Sequence, residues 1–341
     1  MGMEKSLDSK ITRILADPGC EDFILADAKD ADMGFGLAAP GVNREANADR
    51  FPFRTMDQYR DAMREITRQG LVDIMLMSAS SNEVLTIQQR IFDDSTVTPA
   101  ARANDTTDIW LGQTGHYKHD PSMPFRSSTI DQIQGGCYPC QPDQRSLGAD
   151  LGLYSITFNN NTLLDREALE EYRAFRLEAE EKEFRHFLEV FAPNAPGENT
   201  PQDMGRFVND AICRTLAGVV SGNRPLFLKI PYFGPAGMEQ LVAYDRSVIV
   251  GILGGPAGTT HDAFRMLWEA KKYGGRAALF GRKINQAEDQ LLFVEILRAL
   301  ADGNADPEES VRDYHGQLQQ RGLTPHRPLE EDLVLTQLDA S

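Results

Sequence analysis

The chain has no stretch of about 18 consecutive apolar residues, the length that a membrane-spanning helix needs. Its first residues, Met1-Gly-Met-Glu-Lys5, lack the basic and then apolar regions of a secretion signal. A cytoplasmic protein with no membrane partner is expected. Positive charge is scarce as well: 35 Lys and Arg stand against 51 Asp and Glu, a net charge of −16. Nucleic acid and anionic membranes both require basic surface, so neither is an expected partner. Only four cysteines, Cys20, Cys137, Cys140 and Cys213, are spread over 341 residues, too few for a disulfide framework. Cys137-Tyr-Pro-Cys140 has the spacing of a redox motif but no strand-then-helix context, and no second cysteine pair that would complete a zinc site. The six histidines form no HExxH arrangement, and His116-Tyr-Lys-His119 has no accompanying set of carboxylates. No metal and no cofactor is expected; these two histidines read instead as caps of a site or partners of substrate oxygens.

What is present is an alternation of apolar strands with amphipathic helices, in a chain that is 41% hydrophobic. That alternation is the pattern of parallel β/α architecture. The pattern predicts strands at Asp22–Ala28, Leu71–Ser78, Ile109–Thr114, Ala149–Phe158, His186–Phe191, Leu226–Ile230, Val248–Leu253 and Arg276–Phe280. Eight strands fit a closed (β/α)8 TIM barrel, and the chain exceeds the usual barrel length of about 250 by a few loop insertions. The expected organisation is α/β: an N-terminal helical extension over residues 1–20, one barrel domain over 21–303 with a loop insertion at 115–147, and a C-terminal helix with an acidic, solvated tail over 304–341.

Lys229 is the most informative residue. It sits in Pro225-Leu-Phe-Leu-Lys229-Ile-Pro231, a single charge in a run that reads as a buried strand. Burying an ammonium is costly, so such a lysine either reaches out to water or is held partly neutral and serves as an amine nucleophile. Strand alternation places Phe227, Lys229 and Pro231 toward the barrel axis. Glu189, alone in His186-Phe-Leu-Glu189-Val-Phe191, needs a cationic partner, and Lys229 on the next strand is the natural one; the alternative is a purely structural ion pair. Two glycine-rich strand ends follow, Gly254-Gly255-Pro256 and Gly281-Arg282. Their backbone N–H groups and the Arg282 guanidinium suit a phosphate, the alternative being ordinary turns with a surface arginine.

From about Leu147 to Gly303 the chain resembles the class I, Schiff-base aldolases of bacteria and archaea that act on fructose bisphosphate and tagatose bisphosphate. The resemblance is carried by Leu228-Lys229, Gly254-Gly255-Pro256 and Gly281-Arg282-Lys283-Ile284-Asn285-Gln286, with Ile24-Leu-Ala-Asp27-Ala-Lys29 matching in the first half. It implies that Lys229 forms the imine, that Glu189 and Asp27 assist as catalytic acids or bases, and that Lys29, Gly254, Gly255, Gly281 and Arg282 bind substrate or its phosphate. It also implies a phosphorylated sugar as substrate and a homo-oligomer. Two departures stand out: Phe191-Ala-Pro193 offers no tyrosine hydroxyl where the fructose-bisphosphate type has one, and Gly152 takes the place of the tagatose type's second lysine. The implied function is a lyase that cleaves or forms a C–C bond in a phosphorylated ketose; the alternative is a sugar-phosphate-binding barrel with weak or different activity.

Overall fold

The computed structural model describes residues 3–44, 50–112, 114–255 and 258–336. Eight parallel strands close into a barrel: β1 Ile24–Lys29, β2 Ile74–Met77, β3 Thr98–Arg102, β4 Leu151–Thr157, β5 Arg185–Phe191, β6 Phe227–Ile230, β7 Ile249–Leu253 and β8 Ala277–Phe280. Each strand pairs with its sequence neighbours, and β8 returns to β1 through Ile24 opposite Ala277. The chain is a (β/α)8 TIM barrel.

The third strand is not where the apolar pattern predicts it. Ile109-Trp-Leu, the most hydrophobic run in that region, lies in turns packed beside Gly34, and Gln113 lies outside the described residues. The barrel uses Thr98-Pro-Ala-Ala-Arg102 instead, all five residues buried. Proline and alanine are poor strand formers by propensity, and burial between two neighbouring strands overrides that preference.

Side chains divide by parity into two layers. Ile24, Ala26, Ile74, Leu76, Ala100, Leu153, Phe187, Phe227, Ile249 and Leu279 fill the interior, with the Phe187 and Phe227 rings stacked at 4.6 Å. Leu25, Met75, Leu188, Leu228, Val250 and Phe280 face the surrounding helices. Leu7 of the N-terminal helix Ser6–Ala16 belongs to the interior cluster and is fully buried. That helix is fastened at the N-terminal rim, where Ser6 Oγ and Lys10 Nζ both reach Asp73 at 2.7 and 2.8 Å.

The segment between β3 and β4 is more structured than the predicted irregular loop. It holds a short antiparallel ribbon, Asp105–Thr106 with Pro124–Phe125, a 3-10 turn at Tyr117–His119, and the helix Ile130–Gly135, which starts with a capping box between Thr129 and Gln132. Hydrogen bonds from Asn194 Nδ2 to the carbonyls of Lys118 and Asp120, at 3.1 and 2.8 Å, tie this segment to the loop after β5.

The acidic tail is also not a free solvated arm. The helix Pro307–Gln320 packs against Thr260–Lys272, and the segment beyond it folds back over the start of the latter helix. There the Asp332 carboxylate accepts from the Thr260 N–H at 2.8 Å and pairs with His315 Nε2 at 3.0 Å. Asp332 is read by charge as solvated and is in fact a buried helix cap.

Candidate active site

Strand register brings one residue from each of four adjacent strands to the same level of the barrel interior. Ser155 on β4 lies opposite Glu189 on β5, Glu189 opposite Lys229 on β6, and Lys229 opposite Gly251 on β7. Phe227 belongs to the interior cluster whereas Leu228 and Ile230 belong to the outer one, so Lys229 points along the inside of the barrel at its C-terminal end. Lys229 Nζ is 2.5 Å from Glu189 Oε1, with the two residues 6% and 1% exposed. The second carboxylate oxygen, Oε2, accepts a 2.6 Å hydrogen bond from Ser155 Oγ.

Arg102, the last residue of β3, extends this chain of contacts. Its Nη1 donates to Ser155 Oγ at 3.1 Å, its Nη2 approaches Glu189 Oε2 at 3.5 Å, and its Nε meets Asp30 Oδ2 at 2.5 Å. Burial disfavours its charge, but Asp30 and Glu189 outweigh that and hold the guanidinium pKa above its ordinary value. Asn104 fixes the neighbouring backbone, accepting from the Ser155 N–H at 2.7 Å and donating to the Ser155 carbonyl at 2.9 Å. The group therefore contains two cations and two carboxylates, all nearly enclosed, and buried charges persist only when paired in this way.

Two of the predicted residues lie elsewhere. Because Ile24, Ala26 and Ala28 face inward, Asp27 and Lys29 face the helices. They form a fully buried pair, Nζ to Oδ2 at 3.0 Å, and Lys29 also donates to Gln290 Oε1 at 3.0 Å on the helix Gln290–Ala301. Burial raises the Asp27 pKa and lowers that of Lys29, each opposed by its partner. The expectation that Asp27 assists as a catalytic acid or base, and that Lys29 binds substrate, meets a strand parity that turns both side chains away from the barrel interior. The acid that reaches the interior from this side is Asp30, one residue past β1 and in step with Ala26 and Ala28. Gly152 likewise does not stand at the active level: a Cβ there would meet the Phe184 ring at 2.5 Å, and the β4 residue beside Glu189 is Ser155.

The two glycine-rich ends meet at the rim next to β6. A Cβ on Gly254 would come within 2.5 Å of Phe280, one on Gly281 within 2.5 Å of the Ala28 carbonyl, and Gly255 has φ +63°, so all three positions are restricted to glycine. Pro256 lies outside the described residues. Arg282 is exposed, donates to the Gly255 carbonyl at 3.4 Å and lies over the Phe35 ring, so it spans the two loops. Not every donor expected of a phosphate site is available: the Gly254 N–H bonds to the Leu279 carbonyl and the Thr260 N–H to Asp332. Behind Arg282, Lys283 Nζ and Arg327 both donate to the Gly258 carbonyl, and burial pushes the Lys283 pKa down to about 8.

His116 and His119 stand ring to ring at 5.3 Å. Among the described residues no three His, Cys, Asp or Glu side chains gather in a way that would hold a metal ion.

No family model matches the chain, and no curated protein matches it. Solved structures do. An archaeal fructose 1,6-bisphosphate aldolase is similar with a TM-score of 0.60 at 18% identity, over 87% of this chain and 100% of that one. A second, with the catalytic Lys covalently bound to the carbinolamine intermediate of its substrate, gives 0.61 at 18% identity, again over 87% and 100%. Cgl0159 from Corynebacterium glutamicum gives 0.55 at 14% identity, over 89% and 100%. At these identities the likeness is one of fold, the (β/α)8 barrel.

Proposed function

We propose that the protein is a class I aldolase, a lyase that cleaves or forms a C–C bond in a phosphorylated ketose through an imine on Lys229. The observation that carries this reading is the enclosed contact between Lys229 Nζ and Glu189 Oε1 at the C-terminal end of the barrel interior. Barrel active sites are built at that end.

Transfer of the Lys229 ammonium proton to Glu189 leaves a neutral amine, which adds to the ketone carbon and gives a carbinolamine. Glu189 returns the proton to the carbinolamine hydroxyl, water departs, and a protonated imine remains. The imine draws in the electron pair of the bond between its α and β carbons as that bond breaks, leaving an enamine, while the hydroxyl on the β carbon loses its proton and that carbon becomes the aldehyde carbonyl. Asp30 takes the role first given to Asp27, because it is the carboxylate that β1 delivers to the interior. Arg102 lies between Asp30 and Glu189 and pairs with both. The phosphate lies against Gly255, Gly281 and Arg282 at the rim beside β6.

Reduction with borohydride in the presence of a ketose phosphate tests this reading. A stable adduct is expected for the natural protein and none for Lys229→Arg. Retained binding of phosphorylated sugars with no adduct in either protein would favour a binding barrel over an enzyme.

A further inference from the structure

Along β4 the inward row runs Leu151, Leu153, Ser155 and Thr157, while Tyr154, Ile156 and Phe158 pack against the outer helices. Thr157 therefore stands one step above Ser155, about 6.6 Å nearer the C-terminal mouth of the barrel. It is in register with Phe191 on β5, as Ser155 is with Glu189. Thr157 is 3% exposed, as enclosed as the Lys229–Glu189 pair below it, yet its Oγ1 has no hydrogen-bond partner among the described residues. Buried hydroxyls are normally paired, because an unpaired one forfeits the bonds it had to water. Thr98 Oγ1 is in the same condition but stands at the start of β3, the far end of the barrel from the amine. Phe191 shares the inward row of Phe187 and Glu189 and carries a ring without a hydroxyl, so the hydroxyl at this level of the two strands comes from β4.

We infer that Thr157 is a substrate-binding residue, whose hydroxyl donates a hydrogen bond to the oxygen on the carbon that becomes the aldehyde. This rests on the imine reading of Lys229. The glycine loops that receive the phosphate follow β7 and β8, on one side of Lys229, whereas β5 and β4 lie on the other. A sugar anchored by its phosphate on the first side and by its imine on Lys229 carries its remaining carbons toward β5 and β4. The oxygen of the β carbon follows the imine nitrogen by four bonds, which brings it to the level above Glu189. In the cleavage step that oxygen's proton passes to the Glu189 carboxylate, and the O–H pair becomes the second bond of the aldehyde. The pair of the breaking C–C bond becomes the double bond of the enamine, and the C=N pair returns to nitrogen. Thr157 keeps its own proton and stabilises the charge that gathers on the oxygen as its proton departs. A β-branched side chain is stiff, so this donor is held in place before the substrate arrives.

The test uses the full chain, the variants Thr157→Val and Thr157→Ser, and two kinds of probe. Dihydroxyacetone phosphate has no β carbon, so its trapping by borohydride reads imine formation without the contact at issue. A panel of ketohexose 1-phosphates and 1,6-bisphosphates reads cleavage. Thr157→Val should trap dihydroxyacetone phosphate within a few-fold of the natural protein, melt no lower than it, and lose about 10- to 10³-fold in kcat on the best-cleaved sugar. Thr157→Ser should keep cleavage within about fivefold. Unchanged cleavage by Thr157→Val would overturn the inference, as would a Thr157→Ser protein that falls as far. Equal losses of trapping and cleavage in Thr157→Val would place the residue in imine formation instead, and a lower melting temperature would show that the hydroxyl already has a partner within the protein; either result contradicts the assigned contact. Failure of the natural protein to trap dihydroxyacetone phosphate sinks the imine reading and this inference with it, and trapping with no sugar cleaved sinks the lyase step on which the contact depends.

Discussion

Lys229 and Glu189 face each other in register on β6 and β5, amine to carboxylate at 2.5 Å, and the other carboxylate oxygen is held by Ser155 Oγ at 2.6 Å. One oxygen is thus turned to the amine and the other is anchored to the strand beyond. Replacing Glu189 by Gln keeps the size and the contact with Ser155 but removes the proton acceptor. Imine formation should slow by about 10²- to 10⁴-fold while ketose phosphate binding changes little, read as a fall in kcat with KM nearly constant.

Arg102 carries a second prediction. Removing it leaves Asp30 and Glu189 as enclosed carboxylates without their shared partner. Arg102→Ala should cost about 3–5 kcal/mol of stability, measured by chemical denaturation. Arg102→Lys keeps the charge but loses the fork that spans both acids, so it should cost less and still reduce kcat. A neutral outcome for both variants would show that the two carboxylates do not depend on this residue.

The outward pair Asp27–Lys29 should behave as structure rather than chemistry. Lys29→Met alone strands a buried carboxylate and should cost about 3–5 kcal/mol, whereas the joint change Asp27→Leu, Lys29→Met should recover most of that. Borohydride trapping should persist in the joint variant. Its loss there would return Asp27 to the reaction.

Asp32 sets a pH dependence. Its pKa is raised by burial from an ordinary 3.8 to about 6, so the folded state favours its protonated form. That contribution to stability is complete below about pH 4 and is lost as pH rises through 6, which amounts to about 3 kcal/mol at most. Asp32→Asn should therefore raise the melting temperature at pH 7.5 and leave it nearly unchanged at pH 4. The difference between the two melts at each pH is the measurement.

Much of the fold is legible in the sequence because seven of the eight barrel strands overlap predominantly apolar stretches. β3 is hidden, because Pro99, two alanines and a terminal arginine carry no strand signal while Ile109-Trp-Leu nearby does. That one misplacement also conceals Arg102, which β3 delivers to the site. Lys229 and Glu189 stand out because each is a single charge in an apolar run. Asp30 does not, since Asp27-Ala-Lys-Asp-Ala-Asp32 contains three acids. Strand parity from Ala26 and Ala28 is the one signal that separates Asp30 from Asp27. Asp332 is opaque for another reason: an acidic tail looks solvated until the helix start it caps is known.

The central claim is that Lys229 forms a covalent imine without help from a metal. The most direct measurement is peptide mapping of the protein reduced by borohydride in the presence of dihydroxyacetone phosphate, with and without EDTA. The account predicts one adduct, on the peptide that contains Lys229, in equal yield in both samples. An adduct on another lysine, or no adduct together with activity that EDTA abolishes and zinc restores, would contradict it and turn attention to His116 and His119.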